Sequence, residues 1–244
     1  MKITFLGKYG GYPGKESPTS SFLMESAGFH LLVDCGSGVL AKMQSYVDLK
    51  DFDACILSHY HHDHIADVGV LQYAMLVESI LGNRAAAFPI YGHKQDSKFE
   101  ELTNDIYTEG REISVGKTSN IGPFTISFCE TIHPAYCLAM KIQANGKTIL
   151  YTADTEWKDE LVVFAKNADL LISEASIYKE QFGVVRGHLT GEEAGKLAEL
   201  AGVKQLLLTH LPHYGEQEKL VEEAKEIYSG PVQLVYPGME IDFK

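Results

Sequence analysis

The sequence predicts a mixed α/β chain in which two β-sheets pack face to face and helices cover their outer sides. Two observations lead there. Short apolar segments bounded by turn residues dominate the first part of the chain, and strand-like and helix-like segments alternate in the later part. In addition, Asp34, His59, Asp154 and His210 each end or follow a strand-like segment, so one edge of a sheet sandwich would carry them all.

The elements follow in chain order. Residues 3–6 are a strand, and residues 8–20, rich in Gly, Pro and Ser, are a loop. Residues 21–24 and 29–33 pair as strands around Ala27-Gly28. Residues 54–57 form a short apolar strand that delivers a histidine-rich run at its end. Over 67–81 the apolar residues fall at helical spacing, and 88–91 is again a strand. Residues 124–128, 138–142 and 148–151 make a meander, with Asn145-Gly146 as a two-residue hairpin turn. Residues 170–172 and 205–208 are buried strands, and helices are expected over 158–166, 191–201 and 216–228. Thr190 and Glu193 form a Thr-x-x-Glu capping box that starts the second of these helices at Gly191.

The 244 residues, 45% apolar and 22% charged, suit one large domain spanning 1–244 that needs no disulfide staples. The cysteines Cys35, Cys55, Cys129 and Cys137 form no C-x-x-C pair and sit in or beside apolar runs, as reduced and mostly buried thiols do. A net charge of −12 disfavours binding to nucleic acid or anionic membrane through bulk charge. The opening seven residues are too soon broken by glycine to be a signal peptide, and no run reaches the roughly 20 apolar residues of a membrane span. A cytoplasmic, non-membrane protein is expected.

The chemistry concentrates in Ser58-His59-Tyr60-His61-His62-Asp63-His64. Imidazole nitrogen and carboxylate oxygen both bind transition metals. His59, His61, Asp63 and His64 are too many ligands in one short segment for a single tetrahedral ion. Two ions, roughly 3.5–4 Å apart as in many hydrolytic sites, are the simpler reading. Three further candidate ligands extend the set, and others stand beside it. His133 precedes Pro134 at a strand end, where it is either a ligand or a solvated histidine. Asp154 is either an N-cap for the helix after it or a carboxylate bridging two ions, and His210 is a further ligand. Asp34 either fixes the loop ahead of it or orients a ligand histidine. His188, beside the start of the 191–201 helix, is either a surface loop residue or a proton donor to a leaving alkoxide, with Glu174 as its partner. Thr190 is a candidate substrate contact next to His188. His30, His62 and His93 are assigned no metal, and His213 is a loop residue near the site mouth.

With these residues in order, the chain resembles the metallo-β-lactamase superfamily. Asp34 matches its first motif, His59, His61, Asp63 and His64 the second, and His133, Asp154 and His210 the third to fifth. The resemblance implies a four-layer αββα sandwich with two divalent ions at one edge, zinc by default and manganese or iron as alternatives. It assigns His59, His61 and His133 to the first ion and Asp63, His64 and His210 to the second, with Asp154 bridging. Within the superfamily the chain is most similar to the ribonuclease Z and cyclic phosphodiesterase branch. The similarity is carried by Phe5-Leu6-Gly7 with Gly10-Gly11 and Pro13, by Ser173-Glu174-Ala175-Ser176, by Gly187-His188-Leu189-Thr190 and by Gly238-Met239-Glu240-Ile241. Two features depart from it. Residues 134–153 leave no room between His133 and Asp154 for a tRNA-gripping arm, and residues 8–20 lack the cysteines of an accessory zinc site.

The expected activity is hydrolysis of a small or cyclic phosphodiester by a hydroxide shared between two ions, with Asp63, His188 and Glu174 as catalytic residues. Ribonuclease Z-like RNA processing and glyoxalase II-like thioester or lactone hydrolysis are the alternatives, and a non-catalytic scaffold is a third. A homodimer is expected from the resemblance, and the apolar 68–81 helix is its candidate interface, although core packing is the commoner use of such a stripe.

Overall fold

In the computed structural model, which describes residues 1–243, fourteen strands divide into two seven-stranded sheets. The first sheet takes β1 (Lys2–Gly7), β2 (Ser21–Ser26), β3 (Phe29–Val33), β4 (Ala54–Ile56), β5 (Phe88–Gly92) and β6 (Thr108–Glu112). The second takes β7 (Ser119–Ile121), β8 (Phe124–Glu130), β9 (Leu138–Ala144), β10 (Lys147–Tyr151), β11 (Leu170–Glu174), β12 (Leu206–Thr209) and β13 (Val232–Leu234). The chain then returns to the first sheet, where β14 (Glu240–Asp242) pairs antiparallel with β1. The orders are β14-β1-β2-β3-β4-β5-β6 and β13-β12-β11-β10-β9-β8-β7.

Strand sequence explains the layering. Successive side chains point to opposite faces of a sheet. In β2 and β3, Phe22 stands opposite Val33 and Met24 opposite Leu31, and all four join the core between the sheets, where they meet Phe124, Met140 and Ile172. Leu23 and Leu32, one register step away, face outward and join the cluster beneath α1 (Val39–Met43) and α3 (Val68–Ile80). The second sheet does the same. Leu171 and Leu208 face outward, against α4 (Asp159–Phe164), α5 (Gly191–Ala201) and α6 (Glu218–Lys225). Because both faces are covered, the inner strands read as continuous apolar runs rather than alternating ones. The result is the αββα sandwich.

The expected strands all form, within a residue or two of their expected ends. The first predicted late helix is shorter, Asp159–Phe164, with Lys158 at its N-cap, so Asp154 is not the cap of that helix. Elements absent from the sequence reading are short or polar. β6 (Thr108–Glu112) buries only Thr108, and α1 spans a single turn. α3 is apolar on both sides. Val68, Leu71 and Met75 are buried, while Val70, Tyr73, Val77 and Ile80 are exposed. Among the described residues no helix is long and apolar enough to cross a membrane, and the four cysteines are free, with Cys129 half-buried and the others buried.

Candidate metal centre

The parallel strands β3, β4, β10, β11 and β12 deliver Asp34, the histidine run, Asp154, Glu174 and His210 to one edge of the sandwich. At three of these strand ends the chain turns through the left-handed region. Asp34, Ala153 and His210 have φ of 60°, 50° and 52°. Non-glycine residues rarely adopt this conformation, which costs on the order of 1 kcal/mol or more and recurs where a fold aims a functional side chain. After β4 the chain winds into α2 (His62–Ile65), one short turn that sends Asp63 and His64 inward and leaves His62 exposed.

Seven side chains converge. Ligand atoms of His59, His61, His133 and Asp154 lie within 4.8 Å of one another, as do those of Asp63, His64 and His210. Asp154 stands between the groups. Its Oδ2 is 3.8 Å from His59 Nε2, 3.7 Å from His133 Nε2 and 3.4 Å from His210 Nε2, and its Oδ1 is 3.4 Å from His64 Nε2. The residues fit divalent ions on internal grounds. His59 Nε2 and Asp154 Oδ1 are buried and without any hydrogen-bond partner, which a fold ordinarily avoids. Ring nitrogens also crowd one another, His61 Nδ1 to His133 Nε2 at 2.9 Å and His64 Nε2 to His210 Nε2 at 3.3 Å.

Outer contacts of His59, His64, His133 and His210 fix which nitrogen of each of these rings faces the cluster. Asp34, fully buried, accepts from Ser58 N–H (2.7 Å), Ser58 Oγ (3.0 Å), His64 Nδ1 (2.9 Å) and Tyr151 Oη (2.8 Å). Because the Ser58 hydroxyl donates to Asp34, its oxygen is left to accept from His59 Nδ1, 3.0 Å away. One carboxylate thereby holds the Nδ1 side of both His59 and His64 and turns each Nε2 toward Asp154. His133 Nδ1 donates to Gly187 O at 2.9 Å. His210 Nδ1 lies 2.7 Å from Ser176 Oγ, whose hydroxyl donates to Glu174 Oε2 at 2.6 Å. Asp34 thus holds His64 directly and His59 through Ser58, and it also fixes the loop ahead of it. Sequence reasoning assigns no role to Ser58, Tyr151 or Ser176, since a serine within a motif or a core tyrosine shows no partner until the fold brings one to it.

Charge follows the same pattern. Burial, then repulsion from His64, pushes His59 well below the usual histidine range, so its ring is neutral. Burial opposes ionisation of Asp63 and Asp154. The hydrogen bond from His210 and the charges of His64 and His210 hold Asp63 low nonetheless, and the His210 and His64 charges hold Asp154 well below the carboxylate range. Burial likewise works against the His64 cation, and Asp154 and Asp34 outweigh it and lift His64. A divalent ion would replace that proton, so binding releases it.

The glycine-rich loop after β1 completes the wall. Gly11 N–H donates to Asp63 Oδ2 at 2.7 Å. A Cβ on Gly10 would stand 2.5 Å from His210 Nδ1, which is why a glycine is required there. His188 is half-buried, with Nδ1 3.1 Å from both oxygens of Glu174. Burial alone would lower its pKa, but the Glu174 charge and hydrogen bond prevail and lift it to about 9. His188 lines both a cavity of about 250 Å³ over His210 and a cavity of about 480 Å³ beside Trp157 and Arg186. The substrate contact expected of Thr190 is corrected by its own bonds. Its hydroxyl accepts from Glu193 N–H and donates to Glu193 Oε2, and the residue is 2% exposed, so it is spent on capping α5.

Comparison with known proteins agrees with this geometry. The beta-lactamase superfamily domain matches residues 30–211. The chain is 47% identical over 239 residues to the probable metallo-hydrolase YhfI of Bacillus subtilis, covering 98% of each, and superposes on the YhfI crystal structure with a TM-score of 0.96. It is 28% identical to ribonuclease Z of Methanopyrus kandleri, over 96% of this chain and 95% of that one. At 19% identity, covering 99% of this chain and 96% of the other, a diphosphatase from the PhnP family shares the fold with a TM-score of 0.77. The chain therefore belongs to the metallo-β-lactamase superfamily, among its metallo-hydrolases.

Proposed function

We propose that the protein is a phosphodiesterase acting on small or cyclic phosphodiesters with two divalent ions, zinc by default and manganese or iron compatible with the same mixed N/O donors. His59, His61 and His133 would hold one ion and Asp63, His64 and His210 the other, with Asp154 facing both. Bound ions of this kind supply Lewis acidity, lowering the pKa of water and drawing charge from phosphoryl oxygens. The observation that carries the phosphodiester reading is the Glu174–His188 pair. Its geometry leaves His188 Nε2 turned from Glu174, on a residue lining the cavity over His210. Hydrolysis of a phosphodiester expels an alkoxide, a poor leaving group. Protonated Nε2 gives its proton to the leaving oxygen as the P–O bond breaks, and Glu174 keeps Nδ1 protonated and oriented throughout. A thioester expels a thiolate, which needs no such acid, whereas a lactone also expels an alkoxide and is separated from a phosphodiester by the turnover test. The similarity to a ribonuclease Z supports the same bond class. A net charge of −12, with strands β9 and β10 filling the space between His133 and Asp154, favours a small substrate over a large polyanion.

The test is turnover of bis(p-nitrophenyl) phosphate with Zn²⁺ or Mn²⁺, beside S-lactoylglutathione and a lactone, against an Asp63→Ala control. Phosphodiester turnover well above control is expected. Thioester turnover alone would reverse the assignment to the glyoxalase II-like alternative, and inertness across the panel with metal bound would leave a scaffold.

The acid role has its own signature. His188→Ala is expected to lower kcat about 10²–10⁴-fold for an alkyl leaving group and much less for p-nitrophenolate, which leaves unaided. Since Glu174 raises the His188 pKa to about 9, the competent form persists below that pH and is lost above it. Glu174→Gln should move this alkaline limb down by about 1–3 units. An unmoved limb would exclude the pair from proton donation.

A homodimer is proposed on the outer face of α3. Val70, Tyr73, Val77 and Ile80 recur there at helical spacing and are 57%, 68%, 39% and 71% exposed, more apolar surface than a monomer helix ordinarily leaves in water. Light scattering should give a dimer that the double substitution Tyr73→Glu with Ile80→Glu converts to monomer. A monomeric wild type would refute it.

A further inference from the structure

One wall of the cavity over His210 is aromatic. The His213 ring lies between two tyrosines, 4.1 Å from Tyr9 at an interplanar angle of 14° and 3.7 Å from Tyr12 at 4°. Tyr12 is the outermost ring and is 61% exposed. With one face covered by His213, that exposure belongs to its other face and its hydroxyl end. Tyr12, His213 and His188 line the same cavity.

An exposed tyrosine ordinarily samples several rotamers. This one is fastened. Its ring stacks on His213, and its backbone is fixed, the N–H donating to Gly10 O at 2.9 Å and the carbonyl accepting from His213 Nε2 at 2.6 Å. The loop that carries it is tied to the ligand cluster, since Gly11 N–H holds Asp63 and Gly10 packs on His210. It is also tied to the chain beyond His210, because Gly10 N–H donates to Leu211 O and Leu211 N–H to Lys8 O. A ring held at a fixed place, with one face unpaired beside a reactive centre, is a platform whose ordering cost has already been met in folding. Planar groups stack on such faces, and one base–aromatic stack is commonly worth an order of magnitude or more in binding.

We propose that Tyr12, held by His213, is a specificity-determining residue. It stacks on a planar aromatic group carried by one ester arm of the phosphodiester, either a nucleobase or a simple aryl ester. The proposal rests on the phosphodiesterase reading for the nature of the substrate. It does not depend on that reading for the platform itself.

The experiment is calorimetric titration of the metal-loaded protein with methyl phosphate, phenyl phosphate and thymidine 5′-monophosphate. The preference for phenyl over methyl phosphate is compared among wild type, Tyr12→Phe, Tyr12→Leu and Tyr12→Ala at equal metal content. About a tenfold preference is expected in wild type and Tyr12→Phe, falling to within about twofold in Tyr12→Leu and Tyr12→Ala. Tyr12→Leu keeps an apolar side chain without a ring, so it separates stacking from simple coverage and guards against a collapsed loop in Tyr12→Ala. A preference unchanged in Tyr12→Leu overturns the proposal. A Tyr12-dependent gain for thymidine 5′-monophosphate equal to that of phenyl phosphate assigns the ring to a nucleobase, and a gain for phenyl phosphate alone assigns it to an aryl ester. If the ring preference depends on Tyr12 while bis(p-nitrophenyl) phosphate is not hydrolysed, the platform stands and the phosphodiesterase reading falls. Turnover with no Tyr12-dependent preference overturns the platform and leaves the phosphodiesterase reading standing.

Discussion

Asp154→Ala is expected to reduce phosphodiester turnover by at least about 10³-fold and to lower the divalent ion content of the protein. Asp154 is 2% exposed, and its oxygens lie 3.4–3.8 Å from nitrogens of His59, His64, His133 and His210. Imidazoles from both groups therefore share one anionic neighbour. Alanine leaves the His59, His61 and His133 group without a carboxylate and the His64 and His210 group with Asp63 alone, so both ion positions weaken together. Metal analysis and a kinetic trace on the same sample check this. A variant that keeps its metal and its rate would show that Asp154 is a bystander.

Asp34→Asn is expected to be the most destabilising single-atom change in the cluster. Four donors converge on this carboxylate, from Ser58 N, Ser58 Oγ, His64 Nδ1 and Tyr151 Oη. An amide has one acceptor oxygen. If that oxygen keeps the three contacts of Oδ2, the NH₂ group points at the Ser58 N–H, which is 2.7 Å from Oδ1. Asparagine tolerates the left-handed φ of 60°, so the loss comes from hydrogen bonding and not from backbone strain. Disrupting a fully buried charge network typically costs about 3–5 kcal/mol, which for a chain of this size lowers Tm by roughly 10 °C. With the tautomers of His59 and His64 released, metal affinity should fall by about 10–100-fold. Thermal melts with and without added metal check both effects, and an unchanged melt would mean that the network is replaceable by water.

The fold was legible where burial is two-sided. β3, β4, β11 and β12 are short, apolar and ended by a polar residue, and that pattern alone put the ligands at one sheet edge. β6, with the sequence TEGRE, was not legible, because most of its residues face away from the interior and leave no periodic signal. The ligand candidates were legible because six residues of the chain, 59–64, hold four histidines and an aspartate. The Glu174–His188 contact followed only from the resemblance and from residue chemistry, since 14 positions separate them in sequence. Ser58, Ser176 and Tyr151 act through hydrogen bonds that sequence spacing does not encode. Thr190 reads in sequence as a substrate contact because a capping hydroxyl and a ligand-binding hydroxyl look alike until their partners are known. The Tyr9–His213–Tyr12 stack joins residues more than 200 positions apart in sequence, and loop pairing alone brings them together.

Titration of the metal-free protein with Zn²⁺ or Mn²⁺, reading bis(p-nitrophenyl) phosphate turnover at each step, tests the central claim most directly. Seven converging ligands arranged as two groups around Asp154 predict that turnover rises until about two equivalents are bound per chain. Saturation at a single equivalent, or no turnover once both are bound, would contradict it.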